Sequence, residues 1–117
     1  MLIIVATTSP DAHALSPCIP SDFALVYDDA STASLSDEQL VIVHAAVARM
    51  RECDIGQIEI FAASSRVAFW RQRAQALRTE LIAEGIDATV IAIESPARPE
   101  LPSWAANHQL FARVTYR

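Results

Sequence analysis

The sequence predicts an α/β fold, an α+β two-layer sandwich in which two main helices pack on one mixed sheet. Short apolar runs typical of buried strands alternate with two longer amphipathic segments typical of helices. A capping pattern at Ser36 begins the first helix, and Gly85 ends the second. Proline clusters at residues 10–20 and 96–102 bound the compact middle of the chain. The resulting order is β-α-β-α-β-β, and right-handed crossovers make the first three strands parallel.

Length and composition limit the chain to one hydrophobic core. It has 117 residues, of which 52% are hydrophobic, and this is enough to fold as a single domain. The formal net charge is −5 and the nine basic residues are scattered. This argues against a nucleic-acid partner, because binding to phosphates needs a basic stripe. No apolar run approaches the roughly 20 residues of a membrane-spanning helix, so we expect no direct membrane insertion of this chain.

We divide the chain into an N-terminal region, residues 1–20, and a folded domain, residues 21–117. Residues 2–6 fit either a strand or the remnant of a longer export signal, and a proline-containing linker follows them. Cys18 and Cys53 show neither CxxC nor Cys/His spacing, so we expect no zinc site. They either form a disulfide, as in an oxidising periplasm, or remain free thiols in the core.

The first half of the domain contains one strand and one helix. Residues 23–27 predict a buried strand, and residues 28–35 predict a polar connection. Ser36 and Gln39 have the spacing of a capping box at the start of the helix. We expect His44, inside this helix, to be a structural side chain rather than a catalytic base. The apolar stripe that should pack on the sheet comprises Leu40, Val43, Val47 and Met50.

The second half continues with a strand, a helix and two further strands. We expect Gly56 to turn the chain into a strand at residues 57–62. The helix that follows ends at Gly85, where glycine can take the left-handed conformation. Residues 88–93 predict the third strand, and the alternation in residues 110–117 predicts a last strand with one face less buried. The apolar face of the second helix comprises Val67, Trp70, Ala74, Leu77 and Leu81.

The residue patterns favour binding over catalysis. No serine or cysteine lies in a nucleophile elbow, and the two glycines cannot form a phosphate loop. We therefore expect no enzyme, no cofactor and no metal. The strand-to-helix turn around Ser64, Ser65 and Arg66 is the better candidate, because amides at a helix start attract anions and an arginine can clamp a carboxylate. The alternative is that one of these serines only caps the helix.

Three segments of the sequence resemble one bacterial family. Residues 58–86 comprise the strand IEIFAASS and a helix containing QRAQALRTELIAEGI, with an R-A pair and a G-I stop. Residues 26–35 resemble an opening F-x-F-D-x-x-S-x-x-L segment, and Asn107 resembles the asparagine of an N-R-R-V ending. These features resemble the OmpA C-terminal-like, peptidoglycan-associating domain family, of which the chain would be a divergent member.

The resemblance implies a binding site for the diaminopimelate of the peptidoglycan stem peptide. In that family an aspartate pairs with the ammonium group of the ligand and the arginine of the R-A pair binds its carboxylate. Arg73 stands at the arginine position. Ser65 stands at the aspartate position and cannot pair with an ammonium, and the connection between the two is shorter than in the family. The candidate ligand-binding residues are Arg73, Ser65, Ser64 and Asn107.

The resemblance also implies a location and a role. The location would be the periplasm or the outer membrane of the cell envelope, and the role would be anchoring or scaffolding. Partners would be the stem peptide or other envelope proteins, with a homo-oligomer as a further possibility. Because the ligand clamp is degenerate, we expect wall binding to be weak or lost. In the second case the chain would be a protein–protein component of a secretion, conjugation or pilus machine. A small cytosolic α/β enzyme is the remaining alternative.

Overall fold

The computed structural model describes residues 18–27, 33–62, 69–94 and 109–117. Its elements follow the predicted order, and both helices are 14 residues long. The elements are β1 (Ser21–Val26), α1 (Asp37–Met50), β2 (Ile55–Ala62), α2 (Trp70–Ala83), a 3-10 turn (Ala88–Val90), β3 (Ile91–Ile93) and β4 (Gln109–Tyr116). None of the helices in these ranges is long and apolar enough to cross a membrane.

The strands form one mixed sheet in the order β1-β4-β2-β3. Strand β4 is antiparallel to both β1 and β2, and β2 is parallel to β3. Strands β1, β2 and β3 therefore run in the same direction, as predicted, and their carboxyl ends lie at the same edge of the sheet. The predicted fold class, two helices on one mixed sheet, is confirmed.

The hydrophobic core lies between the two helices and one face of the sheet. Its fully buried members include Leu25, Val43, Ile58, Ile60, Leu77, Leu81 and Leu110. In α1 the predicted stripe is correct for Val43, Val47 and Met50, whereas Leu40 is only half-buried. Gln39 and Ala46 are buried as well, because they share the inward face at helical spacing.

The opposite face of the sheet carries a separate aromatic pair. The rings of Phe61 and Phe111 stack with their centroids 5.6 Å apart, and both side chains are fully buried. The Arg113 guanidinium lies over the Phe61 ring and binds Asp22 on β1 at 3.1 Å. The prediction of a less buried face on β4 therefore fits Arg113 and Thr115, which are half-buried, but is wrong for Phe111.

Both predicted helix signals are confirmed. The Ser36 hydroxyl accepts a hydrogen bond from the Gln39 amide at 3.1 Å, and the Gln39 side chain accepts one from the Ser36 amide at 2.8 Å. At the end of α2, Gly85 has a φ of 101°, and the Ile86 amide donates to the Leu81 carbonyl at 3.0 Å. These are the bonds of a capping box and of a Schellman motif.

Two local predictions are wrong. Gly56 lies inside β2 rather than in a turn before it, at an irregularity in the pairing with β4. A Cβ there would lie 3.3 Å from the Thr115 carbonyl oxygen, so the close approach of β4 favours glycine. Residues 88–93 are a 3-10 turn followed by only three strand residues. The Asp87 carboxylate accepts hydrogen bonds from the Thr89 amide and hydroxyl and so holds the turn.

The two cysteines form a disulfide between Cys18 and Cys53. The bond joins the segment before β1 to the segment between α1 and β2. Of the two alternatives left by the sequence, the disulfide is the one in the structure. The strand or leader predicted at residues 2–6 lies outside the described residues.

Candidate ligand-binding site

Arg73 is the predicted site residue that the structure describes, and it is buried. It lies in the first turn of α2, next to Ala74 on the core side of the helix, and is 1% exposed. Its guanidinium carbon lies 3.8 Å from the centroid of the Tyr27 ring. This is a close cation–π contact, which stabilises a charge more strongly when water is excluded. A buried arginine is rare without such partners.

Tyr27 directly follows β1 and presents a polar group to the interior. The residue is 5% exposed, and its hydroxyl has no hydrogen-bond partner within the part of the chain that the structure describes. Burial raises the pKa of Tyr27 to about 12, and the charge of Arg73 acts in the opposite direction. Tyr27 is therefore a neutral hydrogen-bond donor at physiological pH.

Gln39 fixes the end of β1 against α1. In addition to its part in the capping box, its side-chain amide donates to the Val26 carbonyl at 2.9 Å. The side chain is 7% exposed, so both bonds are shielded from water. The residue before Tyr27 is thus held by the first turn of α1, and this places the tyrosine ring beneath Arg73.

The start of α2 differs from the prediction. The residue before the helix is Phe69, in the left-handed conformation with a φ of 52°, and no described side chain caps the helix. Ser64 and Ser65 are therefore not the residues at the N-cap of α2. A bulky residue in this conformation is strained, and such strain is concentrated at functional sites. Phe69 is also 47% exposed.

The other predicted ligand-binding residues are Ser64, Ser65 and Asn107, and they lie outside the described residues. By chain connectivity, both serines follow the carboxyl end of β2, and Asn107 precedes β4. Arg73 and Tyr27 lie at the edge of the sheet formed by the carboxyl ends of β1 and β2. The assignment of the two serines and the asparagine to a ligand site remains a prediction.

His44 lies on the outer side of α1 and is half exposed. Its side chain is 49% exposed, and its Nε2 lies 3.1 Å from Glu80 and 3.2 Å from Glu84 on α2. Position 44 follows the buried Val43 on the helix and therefore points away from the sheet.

The chain matches no family model and none of the curated proteins with which it was compared. Solved structures do match it. The OmpA-like domain of FopA1 from Francisella tularensis superimposes with a TM-score of 0.64 at 12% identity. The match covers 83% of this chain and 73% of that one.

The chain has the OmpA-like fold. Two further structures support this statement. The periplasmic domain of MotB from Helicobacter pylori has a TM-score of 0.61 at 12% identity, over 83% of this chain and 76% of that one. The cell wall anchor of the T6SS from Pseudomonas aeruginosa has a TM-score of 0.61 at 16% identity, over 97% and 98% of the two chains. The fold implied by the sequence resemblance is therefore confirmed for a divergent chain.

Sequence reasoning missed two features of this OmpA-like fold. Tyr27 was assigned to a strand and to the family's opening segment but not to the ligand site, although an aromatic residue directly after β1 lies at the same sheet edge as the start of α2. The group of His44, Glu80 and Glu84 was also missed. The four-residue spacing of the glutamates on one helix was visible in the sequence, but their partner lies on a different helix.

Proposed function

We propose that this chain is a binding module of the bacterial cell envelope, and that Arg73 holds a carboxylate of the peptidoglycan stem peptide. The observation that carries the proposal is the burial of Arg73 against Tyr27 at the carboxyl edge of the sheet. Ring stacking engages the flat face of a guanidinium, whereas carboxylates are bound along its edges by two parallel N–H donors. The Tyr27 ring thus orients Arg73 for a bidentate contact.

Two further groups favour an anionic ligand at this edge. The Tyr27 hydroxyl is a buried neutral donor with no described partner, and a carboxylate oxygen would satisfy it. The first amides of α2 are not capped by a described side chain, and such amides attract negative charge. Like the Arg73 guanidinium, both groups are hydrogen-bond donors, and each favours a negatively charged ligand.

The disulfide supports an envelope location. Disulfides persist in oxidising compartments such as the bacterial periplasm and are rare in the cytosol, and Cys18 and Cys53 are bonded. Two structures of the same fold are described as a periplasmic domain of MotB and as a cell wall anchor of the T6SS. We therefore propose that the chain lies in the periplasm or at the outer membrane and has an anchoring rather than a catalytic role.

The presence of serine rather than aspartate at position 65 determines the binding strength that we expect. In the resembling family an aspartate at this position pairs with the ammonium of the ligand, and serine lacks that charge. Truncating one partner of a buried charge pair typically costs about 2 to 5 kcal/mol. We therefore propose weak binding that depends mainly on the carboxylate contact with Arg73.

A scaffold that binds another envelope protein is the second candidate. It is favoured by Ser65 and by Phe69, which exposes 47% of its surface at the start of α2. Exposed aromatic residues are enriched at protein contacts. The partner would be a component of a secretion, conjugation or pilus machine or a second copy of the chain.

Co-sedimentation with purified peptidoglycan separates the two candidates. The wild-type protein should pellet with the wall material, and Arg73→Lys should remain in the supernatant because lysine cannot make the bidentate contact. The matched control is Arg71→Lys on the same helix. The Arg71 guanidinium also lies over an aromatic ring, that of Trp70, at 4.7 Å, but this residue is exposed.

Sedimentation is compared only among variants whose circular dichroism spectra match that of the wild type. Sedimentation of the wild-type protein no higher than that of an unrelated protein would reject wall binding in favour of the scaffold. Equal sedimentation of both variants and the wild type would show that the wall is bound elsewhere on the chain.

A further inference from the structure

Three side chains with metal-binding atoms converge between the two helices, away from the Arg73 site. His44 extends from α1, and Glu80 and Glu84 extend from α2. The glutamates are four residues apart, so their side chains lie on the same face of the helix. One nitrogen and two carboxylate oxygens, one from each residue, lie within 4.8 Å of one another.

The distances between these atoms suit one small cation. His44 Nε2 lies 3.1 Å from Glu80 Oε2 and 3.2 Å from Glu84 Oε2. Zinc bonds to nitrogen and oxygen of about 2.0 to 2.2 Å place the ligand atoms of a tetrahedral site about 3.3 to 3.5 Å apart. Small rotamer adjustments would therefore admit the ion. Its charge would also relieve the repulsion between the two carboxylates, which share a single imidazole nitrogen.

Arg51 holds one of the glutamates from outside the group. Its Nη2 lies 3.5 Å from Glu84 Oε1 and donates to the Glu84 backbone carbonyl at 3.0 Å. The oxygen directed at His44 is the other one, Oε2. A metal-binding carboxylate is commonly oriented by such a hydrogen bond to its second oxygen. Arg51 thus stabilises the Glu84 orientation that a metal ion needs while leaving Oε2 directed at the histidine.

We propose that His44, Glu80 and Glu84 bind a zinc ion that joins α1 to α2. Imidazole and carboxylate ligands suit zinc among the divalent ions, whereas magnesium favours oxygen ligands alone. The side chain of His44 is half exposed and those of the glutamates are about one-quarter exposed, so the ion can enter from solvent and a water molecule can complete its coordination. This proposal does not depend on the function assigned to Arg73.

Isothermal titration calorimetry of the untagged protein with zinc chloride tests the site. The wild type should bind one zinc ion, with magnesium chloride giving no heat of binding. His44→Gln and Glu80→Gln should each weaken zinc binding at least about tenfold, since even an outer-shell change can cost that much. Glu52→Gln is the matched control, because it removes the same charge from an exposed position outside the group.

Nuclear magnetic resonance gives an independent readout. Zinc should shift the Nε2 resonance of His44 in imidazole nitrogen spectra. Zinc should also raise the melting temperature of the wild type but not of His44→Gln, because an ion that binds only the folded state stabilises that state. Equal zinc affinity in the wild type and in both variants would overturn the proposal. So would an unchanged His44 spectrum at a zinc concentration that saturates the calorimetric signal.

Discussion

Arg73 and Tyr27 form the pair on which the proposed ligand contact depends. The guanidinium is 3.8 Å from the ring centroid, and both side chains are at least nine-tenths buried. A buried hydroxyl without a partner costs about 1 to 3 kcal/mol of stability. Such a cost is expected at a residue that serves a ligand rather than the fold.

At the residue scale, we predict that Tyr27→Phe raises the free energy of unfolding by about 1 kcal/mol at pH 7. The ring and its contact with Arg73 remain, and the variant removes only the hydroxyl, which has no partner among the described residues. Urea denaturation measures the difference. A loss of stability of similar size would mean that the hydroxyl is hydrogen-bonded in solution.

The same variant should change the response to alkaline pH. Burial raises the pKa of Tyr27 from 10.0 to about 12, so the neutral form is favoured in the folded state. The contribution of this preference to the free energy of unfolding is fully present below pH 10 and is lost as the pH rises to 12, a loss of at most about 3 kcal/mol over two pH units. The stability of Tyr27→Phe should fall less over this range, and parallel curves for the two proteins would contradict the assignment.

At the element scale, the capping box of α1 has two consequences. It begins the helix, and through Gln39 it holds the carbonyl of Val26 at the end of β1. We predict that Ser36→Ala lowers the free energy of unfolding by about 1 kcal/mol, the usual cost of losing an N-cap hydroxyl. The measurement is urea denaturation, with Thr79→Ala on the exposed surface of α2 as the control.

If the cap also positions Tyr27, Ser36→Ala should weaken ligand binding more than Thr79→Ala does. Comparable stability of Ser36→Ala and wild type would show that water replaces the hydroxyl at the first amides of α1.

At the scale of the whole molecule, the disulfide closes a segment with a sequence separation of 35 residues. This segment contains β1 and α1, so the bond restricts nearly a third of the unfolded chain. A crosslink of this span is expected to stabilise the fold by about 3 to 4 kcal/mol. We predict a loss of this order in the double variant Cys18→Ser/Cys53→Ser. Denaturation of the wild type in a thiol reductant should give the same loss. A much smaller loss of unfolding free energy in both experiments would contradict the prediction and would mean that the disulfide is not needed for folding.

Local signals predicted much of this fold. The capping box at Ser36, the stop at Gly85 and the apolar stripes identified both helices and their inward faces, because these depend on nearby residues. Errors arose where a distant strand or side chain decided the outcome. Gly56 is favoured by the close approach of β4, and the burial of Phe111 depends on Phe61, a partner far away in the sequence.

The candidate site was less predictable than the fold. Arg73 was identified from the resemblance to a family motif, but periodicity alone could not show that a charged side chain would be buried. Its contact with Tyr27 depends on the packing of α2 over the end of β1, and the group at His44 depends on the packing of α1 against α2. Such contacts join residues that are distant in sequence, and so no local pattern predicts them.

The central claim is that Arg73 binds a carboxylate of the peptidoglycan stem peptide. The most direct test is calorimetric titration of the wild type, Arg73→Lys and Ser65→Asp with a muropeptide that contains diaminopimelate. We predict weak binding to the wild type, at least tenfold weaker binding to Arg73→Lys, equivalent to about 1.4 kcal/mol or more, and tighter binding to Ser65→Asp, which restores the acidic partner. Equal affinity of the wild type and Arg73→Lys for the muropeptide, with both proteins folded, would contradict the claim.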